Sequence, residues 1–316
     1  MIKRHWHSRL TTPLLVAVVA SLILPEALAR RVDFVRSNQE ETIRVHTNLI
    51  PVAATVVDGQ GRAVDDLKSE DFELRVDGER KEIRQIVRSE TPVKMAVLFD
   101  NSGSLNKNRH FARKAAIGFL RSVLRPKDLA ALYAVSSDLE LSQPLTNNID
   151  QIMRAVGKMG WPSGGTVLLD GVNHAAAYLR PQQGRRVIVI ISDGADTRSV
   201  TPFNDTLRAV QAANCQVYAV RTGHSDNANA RDLTGEHRLR ELTTQTGGTM
   251  FSPTGPADLE AAFASIAADL AAQYIVSYYA PEDDEERGRF HPIELRVPMK
   301  PEARVRFRKG YYTPGK

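Results

Sequence analysis

Apolar positions alternate with period two near both ends of the chain. Between those ends they switch between strand and helix spacing. Leu49 to Val57 is apolar and β-branched and stops at Asp58-Gly59, which predicts a strand. Phe72, Leu74 and Val76 alternate with Glu73, Arg75 and Asp77, and Gly78 follows. Asp-Gly after such a run predicts a hairpin, with Ile83 and Ile86 on its far side. In the tail, Ile293, Leu295 and Val297 alternate with Glu294, Arg296 and Pro298. Val305 and Phe307 alternate with Arg304, Arg306 and Arg308, a face that could meet an anionic surface but reads first as a solvated strand face.

From residue 91 the pattern becomes strand, helix, strand, helix. Val93 to Phe99 reads as a strand ending at Asp100. Over 106–125, Phe111, Ala115, Phe119 and Val123 recur every four residues, as on one helix face, and Pro126 ends the run. Strands follow at 129–135, 139–145, 186–191 and 215–220, the second a polar edge strand. Helices are expected at 149–159, 167–179, 203–213, 237–246 and 257–272. Tyr274 to Tyr279 is assigned as the last strand of this region. Val187 to Ile191 is wholly β-branched, as suits a strand buried on both faces. Alternating βα units predict an α/β fold: a mostly parallel sheet with helices on both faces. The two flanking β segments, 43–90 and 281–316, are each short. They are expected to pair into one small all-β sandwich, with residues 91–280 inserted between its halves.

The N-terminus differs in kind. Lys3, Arg4 and Arg9 precede an apolar run from Leu14 to Leu24, and Ala27-Leu28-Ala29 places small residues at a cleavage site. Residues 1–29 thus read as an export signal, with the mature chain starting near Arg30. The run is too short for a bilayer, which needs about 20 apolar residues. Residues 30–42 read as a polar linker. The expected location is outside the cytoplasm (periplasm, cell surface or medium), with no membrane span left after cleavage.

Composition narrows the chemistry. The 316 residues are 42% apolar and 25% charged, as in an ordinary globular protein of about two domains. The formal net charge of +5 is partly the N-terminus, and basic residues elsewhere are interspersed with acidic ones, so nucleic-acid binding is not expected. Cys215 is the only cysteine, which excludes an internal disulfide and a thiolate zinc or iron–sulfur site.

Three polar clusters fall at strand ends or in nearby loops: Asp100-Asn101-Ser102-Gly103-Ser104, Pro162-Ser163-Gly164-Gly165-Thr166 and Ser192-Asp193-Gly194. Ligands of open α/β sheets bind beyond the carboxyl ends of the strands. Oxygen-only donors suit hard cations such as Mg²⁺, which keeps some waters. The same residues would also serve as helix caps around a metal-free polar rim.

These residues resemble the metal-ion-dependent adhesion site of the von Willebrand factor A domain. Asp100, Ser102 and Ser104 match its Asp-x-Ser-x-Ser. Thr166 matches its distant threonine, and Asp193 its distant aspartate. The resemblance covers about residues 91–280 and implies a Rossmann-like fold. It further implies a metal-binding, non-enzymatic adhesion module. Ser102, Ser104 and Thr166 would hold Mg²⁺, with Mn²⁺ or Ca²⁺ as alternatives. Asp100 and Asp193 would act through waters, and one open position would take a carboxylate from a partner protein. Val57 to Arg62 with Asp71 to Leu74, Tyr274 to Tyr279 and Arg308 to Tyr312 are similar to the flanks of an exported bacterial subgroup, of acidobacterial type.

Two rival readings follow from the same residues. One is a metal-independent envelope scaffold. The other is a serine hydrolase using Ser102 with Asp193 and His224. Against it, Asp100 stands where that fold wants glycine, and its carboxylate opposes an oxyanion. Asp170 reads as a capping or intrahelical residue and Cys215 as a buried small apolar group. Trp161 is either a partner contact or core, and Glu282 to Glu286 a solvated turn.

Overall fold

A computed structural model describes residues 49–102, 109–160, 164–222, 230–280 and 288–313. The signal and linker segments (1–29 and 30–42), Ser104, Trp161, His224 and Glu282 to Glu286 lie outside the described residues. Everything below belongs to one compact unit, His46–Lys316.

The centre is a six-stranded sheet. It contains β5 (Val93–Asp100), β6 (Leu129–Val135), β7 (Leu139–Thr146), β8 (Arg185–Ser192), β9 (Cys215–Arg221) and β10 (Met250–Phe251), in spatial order β10-β9-β8-β5-β6-β7. All neighbours run parallel except β7, which closes the edge antiparallel to β6. Side chains of β5 alternate between two cores. Val97 and Phe99 face one side with α1 (Arg109–Val123), α2 (Ile149–Lys158) and α6 (Pro256–Ala271). Ala96 and Leu98 face the other with α3 (Leu168–Leu179), α4 (Phe203–Ala212) and α5 (Ala230–Thr246). The unbroken apolar run of β8 is what two buried faces demand.

Two four-stranded antiparallel sheets hold the remaining strands: β1 (Leu49–Val57), β2 (Glu73–Val76), β3 (Glu79–Lys81), β4 (Gln85–Arg88), β11 (Tyr274–Tyr279), β12 (Phe290–Arg296), β13 (Arg304–Phe307) and β14 (Gly310–Tyr312). Their orders are β13-β1-β11-β4 and β14-β12-β2-β3. Each sheet mixes strands from both chain ends. One core, including Val52, Val56, Leu74, Val276, Leu295 and Phe307, joins their inner faces. The β2–β3 turn is the Asp-Gly hairpin, with φ of 54° at Asp77 and 80° at Gly78. Two positive φ values fit the turn that matches strand twist.

Two expectations need correction. Tyr274–Tyr279 is not the last strand of the parallel sheet. It pairs antiparallel with β1 and β4 in the outer sheet, so the boundary placed at residue 280 falls after β11 rather than before it. The parallel sheet instead ends in the two-residue β10, too short to carry a period. The arginine face is also only partly solvated. Arg304 is exposed, but Arg306 pairs with Asp269 of α6 (2.6 Å) and also bonds Thr249. Arg308 reaches Asn214 and the Pro51 carbonyl. Strand alternation showed which residues share a face, but not that this face meets another layer.

Candidate functional site

The β5 and β8 strands end side by side, with Phe99 opposite Ile191 in parallel register. That register sets Asp100 beside Ser192. The Ser192 hydroxyl donates to Asp100 Oδ2 at 2.5 Å, and the Ser102 amide donates to Oδ1 at 2.8 Å. Asp100 and Ser102 are nearly inaccessible, at 1% and 3% exposure. Asp193, the next residue after Ser192, is half-buried, and its Oδ1 accepts from the Ala195 amide.

Thr166, also buried, reaches the same edge through backbone contacts. Its amide donates to Thr197 Oγ1 (3.0 Å), and its carbonyl accepts from the Thr197 and Arg198 amides. The loop holding Thr166 is therefore laced onto the loop that follows Asp193. Its other side is fixed by Ser137 Oγ accepting from the Gly165 amide and by the Val167 amide donating to the Ser136 carbonyl. Gly164, at φ 73°, lies where a Cβ would come within 2.1 Å of Ser137 Oγ. Gly194, at φ 86°, allows α5 to approach, since a Cβ would sit 3.0 Å from the Gly235 backbone. Only glycine fits both the conformation and the contact.

The structure thus brings Asp100, Ser102, Thr166 and Asp193 to one edge. Ser104 lies outside the described residues. The supporting hydroxyls of Ser137 and Thr197 carried no signal in the sequence. Ser192 stood in a recognised cluster, but its bond to Asp100 depends on strand register. Asp170 is not a cap of its own helix. Its carboxylate accepts from the Val200 and Thr201 amides and so ties α3 to the loop beyond Asp193.

Burial pushes the Asp100 carboxyl up to about 6, against hydrogen bonds from Ser102 and Ser192, and the charge of Asp193 adds to the rise. The groups acting most strongly on it are two hydroxyl-bearing residues and another acid. A buried carboxylate in that setting suits a bound cation. The donor set is oxygen only, with two carboxylates, so it fits a hard ion that keeps waters better than it fits zinc. Among the described residues no group of three or more His, Cys, Asp or Glu is placed to hold a metal.

Residues 95–195, which run from β5 through the Asp193 loop, match the family model of the von Willebrand factor type A domain. Over those residues the chain is similar to the von Willebrand factor type A domain. Similar solved folds include the PilB minor pilin from Streptococcus sanguinis. It is 15% identical, with a TM-score of 0.47, covering 59% of this chain and 63% of that one. A von Willebrand factor type A protein from Catenulispora acidiphila is 16% identical, with a TM-score of 0.49 over 72% of this chain and 51% of that one. The von Willebrand factor domain of the type V pili tip protein Mfa5 from Porphyromonas gingivalis is 13% identical, with a TM-score of 0.47 over 56% of this chain and 94% of that one. At such identities the likeness concerns the fold alone. This chain spans less than two thirds of the pilin's length. Among curated proteins none matches it. Among the described residues, no helix is long and apolar enough to cross a membrane.

Proposed function

We propose that this protein is an exported interaction module whose von Willebrand factor type A domain holds a divalent cation and through it binds a carboxylate on a partner protein. The ion is Mg²⁺, with Mn²⁺ or Ca²⁺ as substitutes. Its holders are Asp100, Ser102, Thr166 and Asp193, with Ser104 added from the Asp-x-Ser-x-Ser spacing. Domains of this family mediate protein–protein interaction, which supports the class of partner. The reading is of binding, with no catalytic residue.

The observation that carries it is the buried Asp100 carboxylate beside Asp193, at an edge where the Thr166 loop is bonded in place. A bound cation would offset both negative charges and offer an open position to an incoming carboxylate. The chain's own contribution is preorganisation. Ser192 and the Ser102 amide fix the Asp100 carboxylate, and Thr197 fixes Thr166.

The test is thermal melting in chelator and then in millimolar Mg²⁺, Mn²⁺ or Ca²⁺, with Asp193→Ala beside the wild type. An ion at ten times its Kd adds about 1.4 kcal/mol, or roughly 3 °C for a domain of this size. That rise in the wild type, absent from the variant, is the expected result. No rise with any ion, or one that Asp193→Ala keeps, overturns the proposal.

A further inference from the structure

The opposite edge of the parallel sheet holds a cavity of about 270 Å³, bounded by the starts of β8 and β9 and by residues of β1 and β11. It is separate from the cation site. Arg185 and Ser192 are the ends of β8, about 23 Å apart at ~3.3 Å per residue. Three arginines line the cavity, Arg185, Arg186 and Arg308, and neither aspartate nor glutamate does.

Each guanidinium is held in place by neutral oxygens. Arg185 donates through Nε to the Thr91 carbonyl, and through Nη1 to the Leu270 carbonyl and Gln273 Oε1. Arg186 donates through Nε to the Gln182 carbonyl and through Nη1 to the Ala213 carbonyl. Arg308 donates through Nη1 to Asn214 Oδ1 and through Nη2 to the Pro51 carbonyl, and it lies 5.3 Å from the Tyr311 ring centre. Its Nε is buried without an acceptor. Among the described residues none of the three pairs with a carboxylate. Burial pushes Arg185 and Arg308 down to about 10; at Arg185 the positive charge of Arg125 adds to the fall and the Asp128 carboxylate opposes it.

Three partly desolvated arginines thus line one cavity whose described wall holds no carboxylate, a costly arrangement unless an anion completes it. Guanidinium forks match the oxygens of phosphate, and three positive charges suit a dianion better than a monocarboxylate. Part of the remaining wall, Pro51, Ala53 and Ile275, is apolar and offers room for an organic remainder beside the amides of Gln211, Gln216 and Gln273.

The geometry points to a binding site for a phosphoryl dianion in this cavity, held chiefly by Arg186 of the parallel sheet and Arg308 of the β-sandwich, which are bonded to the neighbouring residues Ala213 and Asn214, with Arg185 in the wall. Such a ligand bridges the two layers of the protein. Inorganic phosphate and a phosphate monoester share the recognised chemistry and differ in whether the apolar wall is used.

The experiment is calorimetric titration of the full chain at constant ionic strength, using inorganic phosphate, glycerol phosphate and succinate in turn. Saturable binding of both phosphates is expected. Glycerol phosphate binding more tightly indicates an ester as the natural ligand, and equal binding indicates free phosphate. Arg308→Gln and Arg186→Gln should each weaken phosphate binding about tenfold or more, the scale of one charge-assisted hydrogen bond. Arg186 bonds only two carbonyls, so its variant carries the test if Arg308→Gln fails to fold. Asp193→Ala should leave phosphate binding unchanged, which separates this site from the cation site. The proposal is overturned by no saturable binding to the wild type, by binding that Arg186→Gln keeps in full, or by succinate binding as tightly as phosphate.

Discussion

Two buried aspartates stand at opposite ends of β5, and the fold treats them differently. Asp128 secures the start of the strand. Its Oδ1 accepts from the Val93 amide at 2.7 Å, and its Oδ2 accepts from the Arg125 amide and Nε, each at 2.9 Å. Burial raises its pKa, but the bonds from Arg125 and Val93 outweigh that and hold the carboxyl below its ordinary value. Asp100 ends the same strand; both residues are 1% exposed, but the Asp100 carboxyl lies deeper among protein atoms. It receives a hydroxyl and an amide instead of a cation, faces a second acid, and is pushed up to about 6. The first carboxylate is already neutralised by the chain and serves the fold. The second is fixed in place, and among the described residues no basic side chain pairs with it, which is what the proposed cation site requires. The arginine cavity at the other edge repeats the second case with the sign reversed.

Exchanging the two roles gives the sharpest test. Asp128→Ala should cost about 3 kcal/mol, because it strands the Val93 and Arg125 amides and the partly buried guanidinium; urea unfolding measures this. The sign with pH follows from the lowered pKa. The stabilisation from Asp128 is present above the unfolded-state value and is lost as pH falls through the folded one. Asp128→Asn should therefore flatten the acid limb of the stability curve. If its acid limb keeps the wild-type slope, Asp128 is not the compensated group described here.

A smaller effect, about 1 kcal/mol, is expected from Thr197→Ala, which removes one hydrogen bond to the Thr166 amide. The same variant should weaken the metal response, since Thr166 is then held by fewer bonds. A metal-induced melting shift of unchanged size would show that the Thr197 tie does not serve the site.

The smallest expected cost is at Asp100. In chelator at neutral pH, Asp100→Asn should melt at or above the wild type, because it removes a buried charge that no described basic side chain pairs with. It should also abolish the metal-induced rise. Destabilisation as large as that of Asp128→Ala would break the comparison and make Asp100 a structural residue.

Much of this architecture was legible in residue order. The β-branched run of β8, the four-residue spacing of α1 and the Asp77-Gly78 turn each follow from local rules of strand, helix and hairpin. The Asp-x-Ser-x-Ser spacing and the later Thr166 and Asp193 named the candidate donors. The sheet that receives Tyr274–Tyr279 was not legible. An apolar strand has the same pattern whether it extends a parallel sheet or pairs with β1, and the partner is chosen by contacts more than 200 positions away. The same holds for Arg306 and Arg308. Alternation assigns them to one face, whereas Asp269 and Asn214 arrive there only when α6 and the α4–β9 turn pack against it.

The sequence by itself determined the element types, the two β ends around an α/β middle and which oxygen-bearing residues are candidate donors, because these depend on short-range periodicity and residue chemistry. Tertiary structure alone decided which candidate donor is buried with no described basic partner, which hydroxyl holds Thr166, and that three arginines from β8 and the β13–β14 link line one cavity. Those properties are set by desolvation and by distances between segments remote in sequence, and no local pattern encodes either.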